Sequence, residues 1–96
     1  MAKDKKTNYI KLKKKGGNLV LYDKFEEGLK VYKEALPLCE KIYGTSHAET
    51  ADLYNRMGVV HLNLGHYSTG KEWFVKSRDM YRALNADDHL GLAQVY

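Results

Sequence analysis

Four histidines, one cysteine and a run of lysines are the side chains of this 96-residue chain best suited to chemistry. Their spacing argues against most of it. His47-Ala-Glu49 lacks the second histidine, four residues from the first, that a zincin helix needs. His61 and His66 stand five apart, which does not place them on one helical face, and His66 reads as a turn residue. His47 and His89 each lie beside an expected helix start, 42 residues apart, so repetition explains them better than catalysis. Cys39 falls on an apolar seam and reads as a small packed hydrophobe rather than a nucleophile. Ser46 and Thr50 suit capping and packing. Gly16-Gly17-Asn18 lacks the spacing and the following Lys-Ser/Thr of a phosphate-cradling loop. Glu26-Glu27 and Asp87-Asp88 sit in turns and first helical turns, where carboxylates complement the helix dipole. No catalytic residue, metal ligand or cofactor is expected, and the chain reads as a non-enzyme.

The charge is lopsided. Residues 1–15 carry seven Lys (3, 5, 6, 11, 13, 14 and 15) and one Asp, while the rest of the chain is slightly acidic. The net +4 therefore describes a tail more than a domain. Clustered lysines attract nucleic acid, anionic lipid or an import receptor; the plainer alternative is a solvated terminus. Residues 1–17 read as a basic, disordered arm closed by the Gly16-Gly17 breaker. Tyr9, Ile10 and Leu12 are its only sizeable apolar residues, too few to offset the entropy of ordering it. One cysteine excludes an internal disulfide and suits a reducing compartment. No apolar stretch follows the N-terminal charge, so a secretory leader is not expected. The expected location is cytoplasmic, with nuclear entry through the lysines open.

These residues must be held by something, and the chain supplies it by repeating every 42 positions. At that offset Phe25 falls on Tyr67, Gly28 on Gly70, Tyr32 on Phe74, Ala35 on Ser77 and Ala51 on Ala93. A fixed period of this size marks a stack of helical hairpins. Phe25, Gly28, Tyr32, Ala35, Cys39 and Ile42 alternate spacings of three and four, as do Tyr67, Gly70, Phe74, Ser77, Tyr81 and Leu84. That rhythm lays each set along one stripe of a helix. Between them, Leu53, Tyr54, Met57, Val60, His61 and Leu64 share a face. Helices are expected near 18–22 (truncated), 24–42, 47–63 and 67–83, with another starting near 89. Ser46 and Glu49 read as a capping box, Asp88 as an N-cap and Gly65 as a left-handed C-terminal cap. Pro37 predicts a kink or a shortened helix, tolerable on a solvent face.

This arrangement resembles the tetratricopeptide repeat. Tyr54, Met57-Gly58, Leu64-Gly65-x-Tyr67 and Phe74 match its aromatic, Leu-Gly, turn and second-helix positions. Ala35-Leu-Pro-Leu-Cys-Glu-Lys-Ile-Tyr-Gly44, with Ser46-His47, Glu49, Ala51 and Leu53-Tyr-Asn55, looks like the kinesin light chain variety. Leu84, Asp87 and Gly91-Leu-Ala93-Gln-Val-Tyr96 look more like repeats of G-protein-signalling modulators. Departures are His61 in place of Tyr, Gly70 and Ser77 in place of Ala, and no Pro after His47 or His89. The resemblance implies an all-α, right-handed solenoid over 18–96: a partial repeat 18–46, a full repeat 47–87 and the start of another at 88–96. So short a stack leaves open apolar ends, which suggests a fragment or an oligomerising unit.

The resemblance also implies a role. First helices of these hairpins line a concave groove, and matching positions are Asp52, Asn55, Arg56, Val59, Leu62 and Asn63. Periodicity separately makes them the exposed side of helix 47–63. Asn55 and Asn63 can each bond a peptide amide and carbonyl. Arg56 can clamp a carboxylate, and Val59 and Leu62 supply apolar contact. The expectation is a scaffold or adaptor that binds a partner peptide in this groove. The rival is an electrostatic tether in which the lysines hold nucleic acid or acidic membrane and the repeats are passive.

Overall fold

The computed structural model describes residues 2–85. The Asp88 cap, the His89 helix start and the repeat begun at 88–96 lie outside the described residues. Four helices run in order: α1 (Ala2–Leu21), α2 (Phe25–Tyr43), α3 (Ala48–Asn63) and α4 (Tyr67–Asn85). No strand occurs among the described residues. Helix α1 packs along α2, α3 along α4, and α2 against α3, so two hairpins stack through their inner helices. No helix among the described residues is long and apolar enough to cross a membrane.

The 3-4 spacing of apolar residues settles the core. Tyr32, Ala35 and Cys39 of α2 meet Leu53, Met57 and Val60 of α3 in one buried cluster. Ser77, where the repeat usually has Ala, is buried too. Its Oγ donates to the Ala51 carbonyl at 2.8 Å, so the hydroxyl is satisfied and ties α4 to α3. Buried Thr50 donates from Oγ1 to the Gly44 carbonyl at 2.7 Å, closing the bend between the hairpins. Of the α4 stripe, Tyr67 stands apart: it is 71% exposed, at the helix start.

The reading of residues 1–17 as a disordered arm is corrected. Residues 2–17 form the bulk of α1, and Tyr9 is 1% exposed within the core cluster. Gly16-Gly17 does not break the helix. A Cβ on Gly16 would lie 2.6 Å from Cε1 of Tyr32, and one on Gly58 would lie 3.0 Å from the Gly70 carbonyl oxygen. Gly16 and Gly58 are 42 apart. Each is the point where its hairpin closes, and the missing side chain is the reason the helices fit. The turns repeat as well. The Lys24 amide donates to the Leu19 carbonyl and the His66 amide to the His61 carbonyl, both at 2.8 Å. This six-residue closure needs a left-handed residue just before the donor. Gly65 fills that place at φ 85°, and Asp23 fills it at φ 61°.

Two further expectations change. The N-cap of α3 is His47, whose Nδ1 accepts from the Glu49 amide at 2.9 Å; Ser46 is not the cap. Helix α2 runs unbroken through Pro37, which is exposed, so the predicted shortening does not occur. The Pro37 ring still deletes the amide that would bond the Lys33 carbonyl.

The α3–α4 turn folds His66 back over His61. Their Nδ1 atoms lie 3.1 Å apart and their ring centroids 5.4 Å apart, although five residues separate them. His61 is buried, and its imidazole is held below the usual value by burial first, then by the nearby charges of His66 and Lys33.

Two predictions follow from these elements. Pro37→Ala restores the missing helical bond and raises the unfolding free energy by about 1–3 kcal/mol, read by urea titration followed by circular dichroism. A folded-state histidine pKa below its unfolded value contributes stability at high pH that is lost as pH falls. Unfolding free energy should therefore drop as pH falls below about 6.5, at up to about 1.4 kcal/mol per unit for one proton. His61→Tyr removes that slope; the Glu49 and Asp52 carboxylates, held below their ordinary range, act only at lower pH. A slope unchanged in His61→Tyr contradicts the assignment.

Candidate functional site

Across the two hairpins, the outer parts of α1 and α3 border a cavity of about 460 Å³. Its lining comes from Gly17, Asn18, Val20 and Leu21 of α1, Tyr32 of α2, and Asn55, Arg56, Val59 and Val60 of α3. Gly17 opens this space: a Cβ there would have Arg56 Nη1 and the Tyr32 hydroxyl each 3.7 Å away. Val59 is 38% exposed and Leu21 79%, so an apolar wall faces solvent beside two asparagine side chains.

An ionic network crosses from α1 to α3 at one end of this groove. Lys13 pairs with Glu49, and with Asp52 at 2.8 Å. Asp52 also pairs with Arg56 Nε at 2.9 Å, one helical turn on. The Tyr9 hydroxyl donates to Glu49 at 2.7 Å. The contact acts on the pKa of each group. Burial pulls the Lys13 ammonium down, but bonds to Asp52 and Glu49 outweigh it and hold it above the usual lysine value. Burial pushes both carboxylates up, yet Lys13 with Tyr9 lowers Glu49, and Lys13 with Arg56 lowers Asp52. Arg56 is likewise held above its ordinary value, against burial, by Asp52 and Tyr32. Tyr9 is raised by burial and by its bond to Glu49.

The six residues singled out from sequence divide accordingly. Asn55, Arg56 and Val59 line the cavity, and Asp52 orients Arg56 from behind. Leu62 and Asn63 lie a turn or more away. Leu62 leans against the Gly70 region of α4, and Asn63 Nδ2 donates to its own helix at the Val59 carbonyl, 3.0 Å away. Arg56 is no free clamp, since its Nε already serves Asp52.

The α1 half of the groove was missed, and Glu49 was read as a capping partner. One signal was available. Moving Gly58, Gly65 and Tyr54 back by 42 residues lands on Gly16, Asp23 and Leu12, which places a whole first helix before residue 18.

Cys39 is fully buried, with its Sγ 3.5 Å from Thr50 Oγ1, as a packed side chain would be. Among the described residues no group of three or more His, Cys, Asp or Glu is placed to hold a metal ion. A second basic face is organised by α1. Lys11, Lys14, Lys15 and Lys24 surround Asn18, Leu19 and Tyr22, and Tyr22 is 78% exposed. Lys13 is withdrawn from it by its ion pairs.

Comparison with known proteins bears on this geometry. No match was found among curated proteins or among solved structures. The family model described as tetratricopeptide repeat matches residues 14–83, beginning inside α1 and ending inside α4. That span includes both glycine contacts, the left-handed turns and all of the groove lining, and the chain belongs to the tetratricopeptide repeat family.

Proposed function

We propose that the chain is a non-enzymatic protein-interaction module that holds an extended segment of a partner protein in the groove between α1 and α3. The supporting observation is the groove's composition. An apolar wall of Val20, Leu21, Val59 and Val60 lies beside Asn18 and Asn55, one from each helix. Each asparagine can donate to a carbonyl and accept from an amide, which suits a backbone, while the wall takes an apolar side chain. Arg56 and Lys13 are held by Asp52 and Glu49, so the groove offers little free charge and favours a segment that is apolar and uncharged at this point. Repeats of this family serve protein binding in general. A closer kinship with kinesin light chain repeats, and a cytoplasmic location, belong to this same proposal.

The test is a quantitative pull-down with wild type, Gly17→Leu and the pair Asn55→Ala/Arg56→Ala. Gly17→Leu puts a side chain into the cavity beside Arg56 and the Tyr32 hydroxyl, and circular dichroism checks that it folds. Loss of about 1–3 kcal/mol per variant, some 5- to 150-fold in affinity, is expected for partners held here. A partner set unchanged in all variants removes the groove reading.

One observation favours a second reading. Lys11, Lys14 and Lys15 of α1 and Lys24 of the following turn converge on the exposed Tyr22, so the basic face rests on a helix rather than on a loose arm. Such a face suits a polyanion, with Tyr22 available to stack on a base. Titration with single-stranded oligonucleotide should then give a log-log salt slope of about −3, near −0.7 for each of four phosphate contacts. Lys14→Glu/Lys15→Glu should abolish the binding while Asn55→Ala/Arg56→Ala leaves it intact. Binding that ignores salt dismisses this reading.

A further inference from the structure

We propose that His61 and His66 form a two-ligand site for a late first-row divalent cation, zinc above all, at the α3–α4 turn. The geometry carries it. The two Nδ1 atoms face each other at 3.1 Å. Zinc bonds imidazole nitrogen at about 2.0–2.1 Å, so an ion touching both would subtend an angle of roughly 95–102°. That lies between the right angle of a square site and the tetrahedral angle, and zinc has no electronic preference that would resist it. Two nitrogens so close share one proton or one cation. With both rings neutral, one Nδ1–H can donate to the other Nδ1, and a divalent cation bound by both nitrogens takes the place of that shared proton.

The place is built for the purpose in other respects. The His66 amide is bonded to the His61 carbonyl at 2.8 Å and Gly65 holds its left-handed φ of 85°, so the backbone fixes the spacing of the two ligands. His61 is 7% exposed and packed among core residues, which holds one ring still. His66 is exposed, which gives the ion a way in and leaves its remaining positions to water. Among the described residues no group of three or more His, Cys, Asp or Glu is placed to hold a metal ion, so the two rings act as a pair without a carboxylate as third ligand. The site is bidentate and open, and its cation would brace the hinge between α3 and α4. Neither the groove residues nor the lysine face takes part.

The experiment uses the whole chain, freed of affinity tag, at pH 7.5. Zinc chloride is titrated by calorimetry, and the thermal transition is recorded with and without zinc and again after chelation. Wild type should bind one zinc per chain and melt higher with it, and chelation should reverse the rise. His66→Ala, an exposed change that leaves the core alone, should raise Kd at least tenfold and abolish the melting shift. His61→Tyr, which installs the residue usual at this position, should do the same, while His47→Ala/His89→Ala should bind as wild type does. Binding that survives His66→Ala, or a wild type whose melting is indifferent to millimolar zinc, overturns the proposal.

Discussion

Backbone meets backbone at two places in this molecule, and the rest of the structure depends on it. Gly58 and Gly70 face each other between α3 and α4, each lying 3.0 Å from where the other's side chain would begin. Between α1 and α2 the Gly16 carbonyl oxygen lies 3.3 Å from the Cβ position of Gly28. Helices this close leave no room for a side chain between them, so the aromatic rings are displaced along the axis. Tyr32 covers Gly16, and Phe74 covers Gly58. Glycine inside a helix costs up to about 1 kcal/mol each. Burial of one aromatic ring returns about 1.5–3 kcal/mol, so the close approach is favourable in sum.

Once both hairpins are closed, the packing of α2 on α3 makes the main join between them, and the groove lies where α1 and α3 do not pack closely. The network of Lys13, Glu49, Asp52 and Arg56 spans that gap. Its side chains are 21–41% exposed, and pairs so exposed contribute about 0–1 kcal/mol each. Tyr9, at 1% exposure, gains more from burial alone. Tyr9 therefore holds the first half of α1 in place, and the ions set where α1 sits relative to α3. The same pairs occupy the cations that would otherwise make the groove attract acidic ligands.

The departures from the family pattern are absorbed rather than merely tolerated. Ser77 repays its buried hydroxyl by bonding Ala51 across the hairpin. Asp23 takes a left-handed position that glycine holds in the second hairpin, and aspartate is among the few side chains that do so readily. His61 keeps an aromatic-sized ring between the helices and finds its polar partner in His66. Tyr54 sends its hydroxyl to Glu40 at 2.7 Å; burial and that carboxylate push it up to about 12, so it stays a neutral donor throughout the range in which the protein works.

Helices α2, α3 and α4 were legible because their apolar residues recur at spacings of three and four, and periodicity is a local property. The buried stripe from Tyr32 to Cys39 and the family likeness came from the same signal. Helix α1 was not legible by that route. Seven lysines and two adjacent glycines oppose a helix locally, and the core contact of Tyr9, the packing of Leu12 and Val20 beside it, the ring of Tyr32 against Gly16 and the carboxylates of α3 reverse the balance. The pairing of His61 with His66 was hidden for a related reason: a helical wheel ends where the turn begins, and a left-handed glycine brings the second ring back over the first. Sequence alone thus determined which residues are apolar, how they recur and hence the hairpin. Tertiary structure alone decided which polar groups meet across helices, because such meetings as Lys13 with Glu49 and Tyr9 with Glu49 join residues 36 and 40 positions apart, and no period in the chain encodes them.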